Sequence, residues 1–225
     1  DALGRRWKRQ FSGAMKLHWF GAKGDRVADD TPSLIEAFRA VTALGRGCIE
    51  GEPWDKYRIT HTIFYGSNTV FDGRGCEVYH DSNTTNGSAF MPEKFQHATE
   101  KNYNIKFKDF TLNTSTTGGN GIAGANARRV TVENVHSDYM YWHLFDGAGC
   151  QDFTIKDCHS YNCRTAPYQC DNATYSAASE ASDAAGNVLP IAFDASGYVG
   201  KSRNVTILNC RANGAALYGV HFHNT

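Results

Sequence analysis

Two carboxylates, an amide and a pair of imidazoles sit at the ends of short apolar-centred segments. These segments are Leu144-Phe145-Asp146, Gln169-Cys170-Asp171 and His221-Phe222-His223, with Ile122-Ala123-Gly124 as a fourth of the same shape. If the middle residue of each points into a core, the flanking residues point out on one face, because side chains alternate along a strand. Aligned this way, one outward column reads Gly124, Asp146, Asp171, His223 and the other Ile122, Leu144, Gln169, His221. Paired carboxylates suit cleavage of a glycosidic bond: one protonates the leaving oxygen while the other attacks or activates water. Asp146 and Asp171 on neighbouring strands fall near the short separation of about 5 Å that gives retention, and like charges that close raise one pKa and keep an acid available. A lyase would use such a face differently, with His143 or Tyr168 removing a proton beside a uronate. Asp194, in Phe193-Asp194-Ala195, echoes Phe145-Asp146-Gly147 and is a further catalytic candidate from a loop. Tyr139, Tyr141 and Trp142 precede Asp146, where exposed aromatic rings would stack on sugars. The competing role for any one of these aspartates is local, since Asp in turns bonds its own backbone.

Such residues need a repeating scaffold, and the chain carries one. Ile105, Phe107, Phe110, Leu112 are followed by Val130, Val132, Val135, Ser137, by Phe153, Ile155, Cys158, Ser160 and by Val205, Ile207, Cys210, Ala212. Offsets 0 and 2 describe a strand, and the extra residue before offset 5 marks a bend into a second strand. The steps are 25, 23 and 52 residues. A period near 24 is that of stacked parallel coils, in which Phe110, Val135, Cys158 and Cys210 form one inward column. The long step is read as one rung with a loop, because residues 172 to 190 are rich in Ala and Ser and show no alternation. Parallel crossovers are right-handed, so the coil is expected to be right-handed too. His136 and His159 occupy matching positions and should stack. Ahead of the coil, Thr31 is an N-cap candidate before Pro32, with Leu34, Ile35, Phe38, Val41 and Leu44 at helical spacing up to Gly45. The expected class is all-β, a parallel β-helix with one N-terminal capping helix.

Composition narrows the function classes. Lys and Arg total 23 against 23 Asp and Glu, which disfavours electrostatic binding to nucleic acid. No apolar run approaches the roughly 20 residues that span a bilayer. Seven cysteines form no CxxC pair and are odd in number, so they read as free thiols in the core rather than a zinc site or a full disulfide set. The sequence calls for no cofactor, and a divalent cation on the acidic face is the open alternative.

The segment Trp19-Phe20-Gly21-Ala22-Lys23-Gly24-Asp25, then Ala28-Asp29-Asp30-Thr31-Pro32, the helix and Tyr57-Arg58-Ile59 resemble the opening of pectate-lyase-like right-handed β-helix domains, as found in bacteriophage tailspike depolymerases. It departs from that opening at Arg26, usually Gly, and at Trp19, usually Asp. Gln169-Cys170-Asp171 is similar to the family's Gln-x-Asp site strand, and Tyr218 to His223 to a later strand ending in a functional His. The resemblance implies cleavage of a bacterial surface polysaccharide and a site at Gln169, Asp171 and His223; together with the outward face read above, the catalytic candidates are Asp171, Asp146, His223 and Asp194, and the substrate-binding ones Gln169, His221, His143, Tyr168, Tyr141 and Trp142. It implies a homotrimer on a virion tail, joined to other tail proteins through a connector at residues 1–17, or else a secreted enzyme. The β-helix is expected over 18–225, with further rungs after 225. Two alternatives share the fold: a non-catalytic receptor-binding adhesin, and a uronan lyase or epimerase.

Overall fold

The computed structural model describes residues 13–82, 87–95, 100–171, 173–174, 181–182, 188–189, 199–200, 202–215 and 219–223. Its frame is two parallel sheets wound by one chain. The first contains the strands Gly47–Glu50, Thr69–His80, Asn102–Thr114, Ala127–Ser137, Gln151–Lys156 and Arg203–Leu208 in that order, and the second runs Ile63–Tyr65, Ser88–Pro92, Asn120–Ala123, Phe145–Ala148, Tyr168–Asp171 and Val220–His223. The architecture is thus the stacked parallel β-helix expected from the repeat.

The rungs stack in the register read from the sequence. Ile105 pairs with Val130, Val130 with Phe153 and Phe153 with Val205; the next inward column is Phe107, Val132, Ile155 and Ile207. The same column extends upstream through Phe71 to Ile49. Phe71, Phe90, Phe107 and Phe110 pack ring against ring with centroids 5.1 to 6.3 Å apart. Burying each such side chain contributes about 1.5–3 kcal/mol.

The bend before offset 5 has a specific cause. Asp109, Asn134, Asp157 and Asn209 all adopt positive φ, between 49° and 60°, at offset 4 of their rungs. Asn and Asp tolerate this left-handed conformation better than other non-glycine residues. They also bond one another between coils: Asn134 donates to Asp109 at 2.8 Å and Asn209 to Asp157 at 2.7 Å. His136 and His159 stack with centroids 5.0 Å apart, as their matching positions require.

Between Tyr168–Asp171 in the second sheet and Arg203–Leu208, the next strand of the first, the chain makes an excursion from the coil. The short strands described within it pair only antiparallel with each other, Ala173–Thr174 with Val199–Gly200 and Ala181–Ser182 with Val188–Leu189. All seven cysteines are free thiols, with Cys76, Cys150, Cys158, Cys163 and Cys170 buried.

The helix Thr31–Leu44 covers the start of the coil, with Leu34, Ala37, Phe38 and Val41 buried and Phe38 against Phe71 and Phe90. Its N-cap is Asp30, one residue before the expected Thr31. The Asp30 carboxylate turns back to accept the amides of Lys23 and Gly24, fixing the Gly-Ala-Lys-Gly turn against the helix. Thr31 instead lies inside the first turn, where its hydroxyl bonds Asp29 and accepts the Thr60 amide. Leu44 at the far end is exposed, so the apolar stripe stops at Val41. Gly45, at φ 75°, closes the helix.

Candidate functional site

Register in the second sheet decides which polar groups meet. Along Phe145–Ala148 burial alternates, with Phe145 and Gly147 inward and Asp146 and Ala148 outward. Phe145 pairs with Tyr168, Asp146 with Gln169, Gly147 with Cys170 and Ala148 with Asp171. Gln169 in turn pairs with His221 and Asp171 with His223. The outward column therefore runs through Ala123, Asp146, Gln169 and His221, while Ala148, Asp171 and His223 share the register position two residues further along.

This corrects the columns drawn from the sequence. Asp146 stands beside Gln169, two residues short of Asp171. The first rung has the wrong parity as well: Ile122 is the inward residue and pairs with Phe145, so Ala123 lies in the outward column. Gly124 faces the lumen, where a Cβ would come within 2.4 Å of the Phe153 ring. Leu144 is buried rather than outward. Asp146 and Asp171 are diagonal neighbours, one strand and two residues apart, a relation that spaces backbones by about 7–8 Å.

Asp146 is half-buried, and its Oδ2 accepts a hydrogen bond from Asn120 Nδ2 at 2.8 Å. The other end of the same amide, Asn120 Oδ1, accepts the His143 backbone N–H at 3.3 Å. Asn120 thereby ties the aspartate to the turn that precedes its strand. Sequence reasoning missed Asn120, since an Asn among glycines in a turn carries no distinguishing pattern. On the next strands, Gln169 Oε1 lies 3.4 Å from His221 Nδ1, and both side chains are partly exposed.

Two expected binding residues are elsewhere. Tyr168 is in the lumen, where its hydroxyl donates to the Cys158 carbonyl at 2.8 Å and lies 3.1 Å from that of Arg211. Burial pushes this phenol well above its ordinary pKa. The reason is parity, since Tyr168 shares the inward column of Phe145. His143 is also buried, with its ring Nδ1 on the Ala166 carbonyl and 3.2 Å from the Thr165 hydroxyl. Neither is placed to act as a base on the outer face. Trp142 is exposed and meets the Tyr141 ring edge-on at 5.8 Å, while the Arg164 guanidinium covers Tyr141 at 4.6 Å. Tyr139 lines a cleft on the first sheet instead of the approach to Asp146. Asp171 and His223 are positioned here by backbone register alone, and Asp194 lies outside the described residues.

Towards the start of the coil the outward face is apolar. Phe95 packs with Ala125 over Phe64, Met91 and Ala148, and the Phe64 and Phe95 rings stack at 6.2 Å. The polar groups thus begin where this cover ends. Among the described residues no group of three His, Cys, Asp or Glu side chains could hold a metal ion, and no helix is long and apolar enough to cross a membrane.

No family model matches the chain. Several solved structures do share its course. The surface adhesin PfbA of Streptococcus pneumoniae is 17% identical, with a TM-score of 0.63 over 88% of this chain and 49% of its own. The A-module of the Azotobacter vinelandii mannuronan C-5 epimerase AlgE4 is 18% identical, with a TM-score of 0.63 over 92% of this chain and 53% of its own. Bacteriophage phi29 gene product 12, in its pre-mature form, is 15% identical, with a TM-score of 0.50 over 93% and 32%. What they share with it is the fold. That fold is the right-handed parallel β-helix, and it hosts polysaccharide-active enzymes and adhesins alike. The chain spans about half the length of the first two.

Proposed function

We propose that the protein cleaves glycosidic bonds in a bacterial surface polysaccharide, as a tailspike-type depolymerase. The observation that carries this reading is the register that lays Asp146, Gln169 and His221 in one outward column and puts Asp171 and His223 at paired positions two residues along. The two aspartates lie one strand and two residues apart, and we take their carboxyl groups to span the wider separation, about 6.5–9.5 Å, that leaves room for a water and gives inversion. Asp146, whose Oδ2 accepts a hydrogen bond from Asn120, is the base that activates water. Asp171 is the acid that protonates the leaving oxygen, and Gln169, His221 and His223 hold the sugar ring between them. Trp142 and Tyr141, on the turn leading into Asp146, offer a stacking surface beside the bond to be cut. Asp194 is a further candidate reaching in from the long excursion. The working unit is a homotrimer carried on a virion tail through its N-terminal connector.

The test is incubation with purified capsules, exopolysaccharides and teichoic acids, scored for new reducing ends and by mass spectrometry. Asp171→Asn should fold normally and lose at least about a hundredfold in rate. Cleavage by Asp171→Asn near the wild-type rate would remove Asp171 from the mechanism. A second reading, a non-catalytic adhesin, draws on the likeness to PfbA, named as a surface adhesin. Binding of whole polysaccharide with no product from any member of the panel would favour it. An ultraviolet-absorbing unsaturated product would instead mark a lyase.

A further inference from the structure

The first sheet carries a cleft of its own, on a different wall of the coil from the aspartate face. It has a volume of about 460 Å³ and is walled by Arg26, Glu77, Tyr79, Asn113, Asp138 and Tyr139, with Lys56 and residues 114–116 at its margin. The volume is in the range of small-ligand sites, about 300–1,000 Å³. We propose that this cleft is a second saccharide-binding site, taking uncharged, hydroxyl-rich rings of a glycan chain away from the site of cleavage. It rests on the reading above only in taking the ligand to be a glycan.

The first support is the chemistry of the lining. Arg26 and Lys56 are balanced by Glu77 and Asp138, so no net charge selects a phosphate or a polyanion. What remains is a carboxylate, an amide and hydroxyls beside two tyrosine rings. Alternating donors and acceptors next to an aromatic surface suit sugar hydroxyls and the apolar faces of sugar rings.

The second support is that the walls are already fixed. Arg26 Nη1 reaches both carboxylate oxygens of Glu77 at 3.0 Å, and its guanidinium lies 4.5 Å over the Tyr79 ring. Asn113, nearly buried, donates to Glu77 at 3.1 Å and accepts the backbone amides of Asp138 at 2.8 Å and Tyr139 at 3.1 Å. One amide therefore joins the floor of the cleft to the turn that closes it. A site whose side chains are held in place before binding loses less freedom when a ligand arrives.

The third support is Arg26 itself. It sits at φ 64°, a left-handed conformation that favours glycine and disfavours a long side chain. Glu77 and the Tyr79 ring hold the side chain from that position as one wall of the cleft.

The experiment uses the intact chain and oligosaccharides cut from purified capsules and exopolysaccharides. Binding is measured by calorimetry on the wild type and on Asp171→Asn, Tyr139→Ala, Tyr139→Phe and Arg26→Gly. Asp171→Asn serves only to stop cleavage during the measurement; on that background Tyr139→Phe should leave binding unchanged, while Tyr139→Ala and Arg26→Gly weaken it about tenfold. Arg26→Gly keeps the test open if Tyr139→Ala fails to fold, because glycine suits φ 64°. Unchanged affinity in both Tyr139→Ala and Arg26→Gly would overturn the inference, as would no oligosaccharide bound by any form. Reducing-end release is scored separately. Cleavage with unaltered affinity in the cleft variants rejects the cleft and leaves the depolymerase reading standing. Binding lost in those variants without cleavage of any polymer does the reverse.

Discussion

His80 makes the folded state sensitive to acid. It ends the strand Thr69–His80 facing inward, is 1% exposed, and neither ring nitrogen has a hydrogen-bond partner. Burial, with a smaller contribution from the positive form of His61 and partly offset by Asp81, pushes its pKa down to about 4 from an ordinary 6.5. The folded state therefore binds this proton less readily than the unfolded chain. Its contribution to stability is complete above pH 6.5 and is lost as the pH falls towards 4. At about 1.4 kcal/mol per pKa unit the full loss is on the order of 3 kcal/mol. His80→Leu removes the titration and the two unsatisfied nitrogens together, so it should also stabilise the protein by about 1–3 kcal/mol at neutral pH. Urea unfolding at intervals from pH 8 to pH 4 would measure both effects. The gap between variant and wild type should widen by on the order of 3 kcal/mol across that range. Parallel curves would show that His80 is solvated or bonded in solution and that its burial carries no such penalty.

Other perturbations report on the coil and its face. Val135→Asp puts a charge between Phe110 and Cys158 in the inward column, at a cost of several kcal/mol, and should abolish soluble expression; a well-folded variant would refute the rung register. Gly124→Ala should destabilise by about 1–3 kcal/mol in thermal unfolding, because its Cβ would press on the Phe153 ring, whereas a neutral effect would return Gly124 to the outward column. Asn120→Ala frees the Asp146 side chain from the turn that holds it and should lower the cleavage rate by up to about a hundredfold; an unchanged rate would separate Asp146 from the chemistry.

The rungs of the first sheet were legible because each carries its own marker. Inward residues at offsets 0, 2 and 5 surround an Asp or Asn that can take positive φ, so the bend and the register appear together in the sequence. The helix was legible from its spacing and its closing glycine, and its first residue was misplaced because adjacent Asp30 and Thr31 are both good caps. The cleft left no trace in the sequence, since Arg26, Glu77, Asn113 and Tyr139 come from four different passes of the chain and only coiling brings them together.

The aspartate face was legible in part, and the division follows from strand length. The strands Phe145–Ala148, Tyr168–Asp171 and Val220–His223 hold four residues each and have no left-handed marker among them. Alternation alone places Asp146, Gln169, Asp171, His221 and His223 on one side, and it is unchanged when a strand slides by two residues. The sliding is fixed by the turns that lead in, residues 138–144 before Phe145 and residues 162–167 before Tyr168, and these differ in length and sequence. Sequence periodicity could therefore gather the polar groups but not set the distance between them. Under the proposed cleavage that distance would separate a nucleophile from a base: Asp146 beside Asp171 would suit retention, and Asp146 beside Gln169 suits inversion.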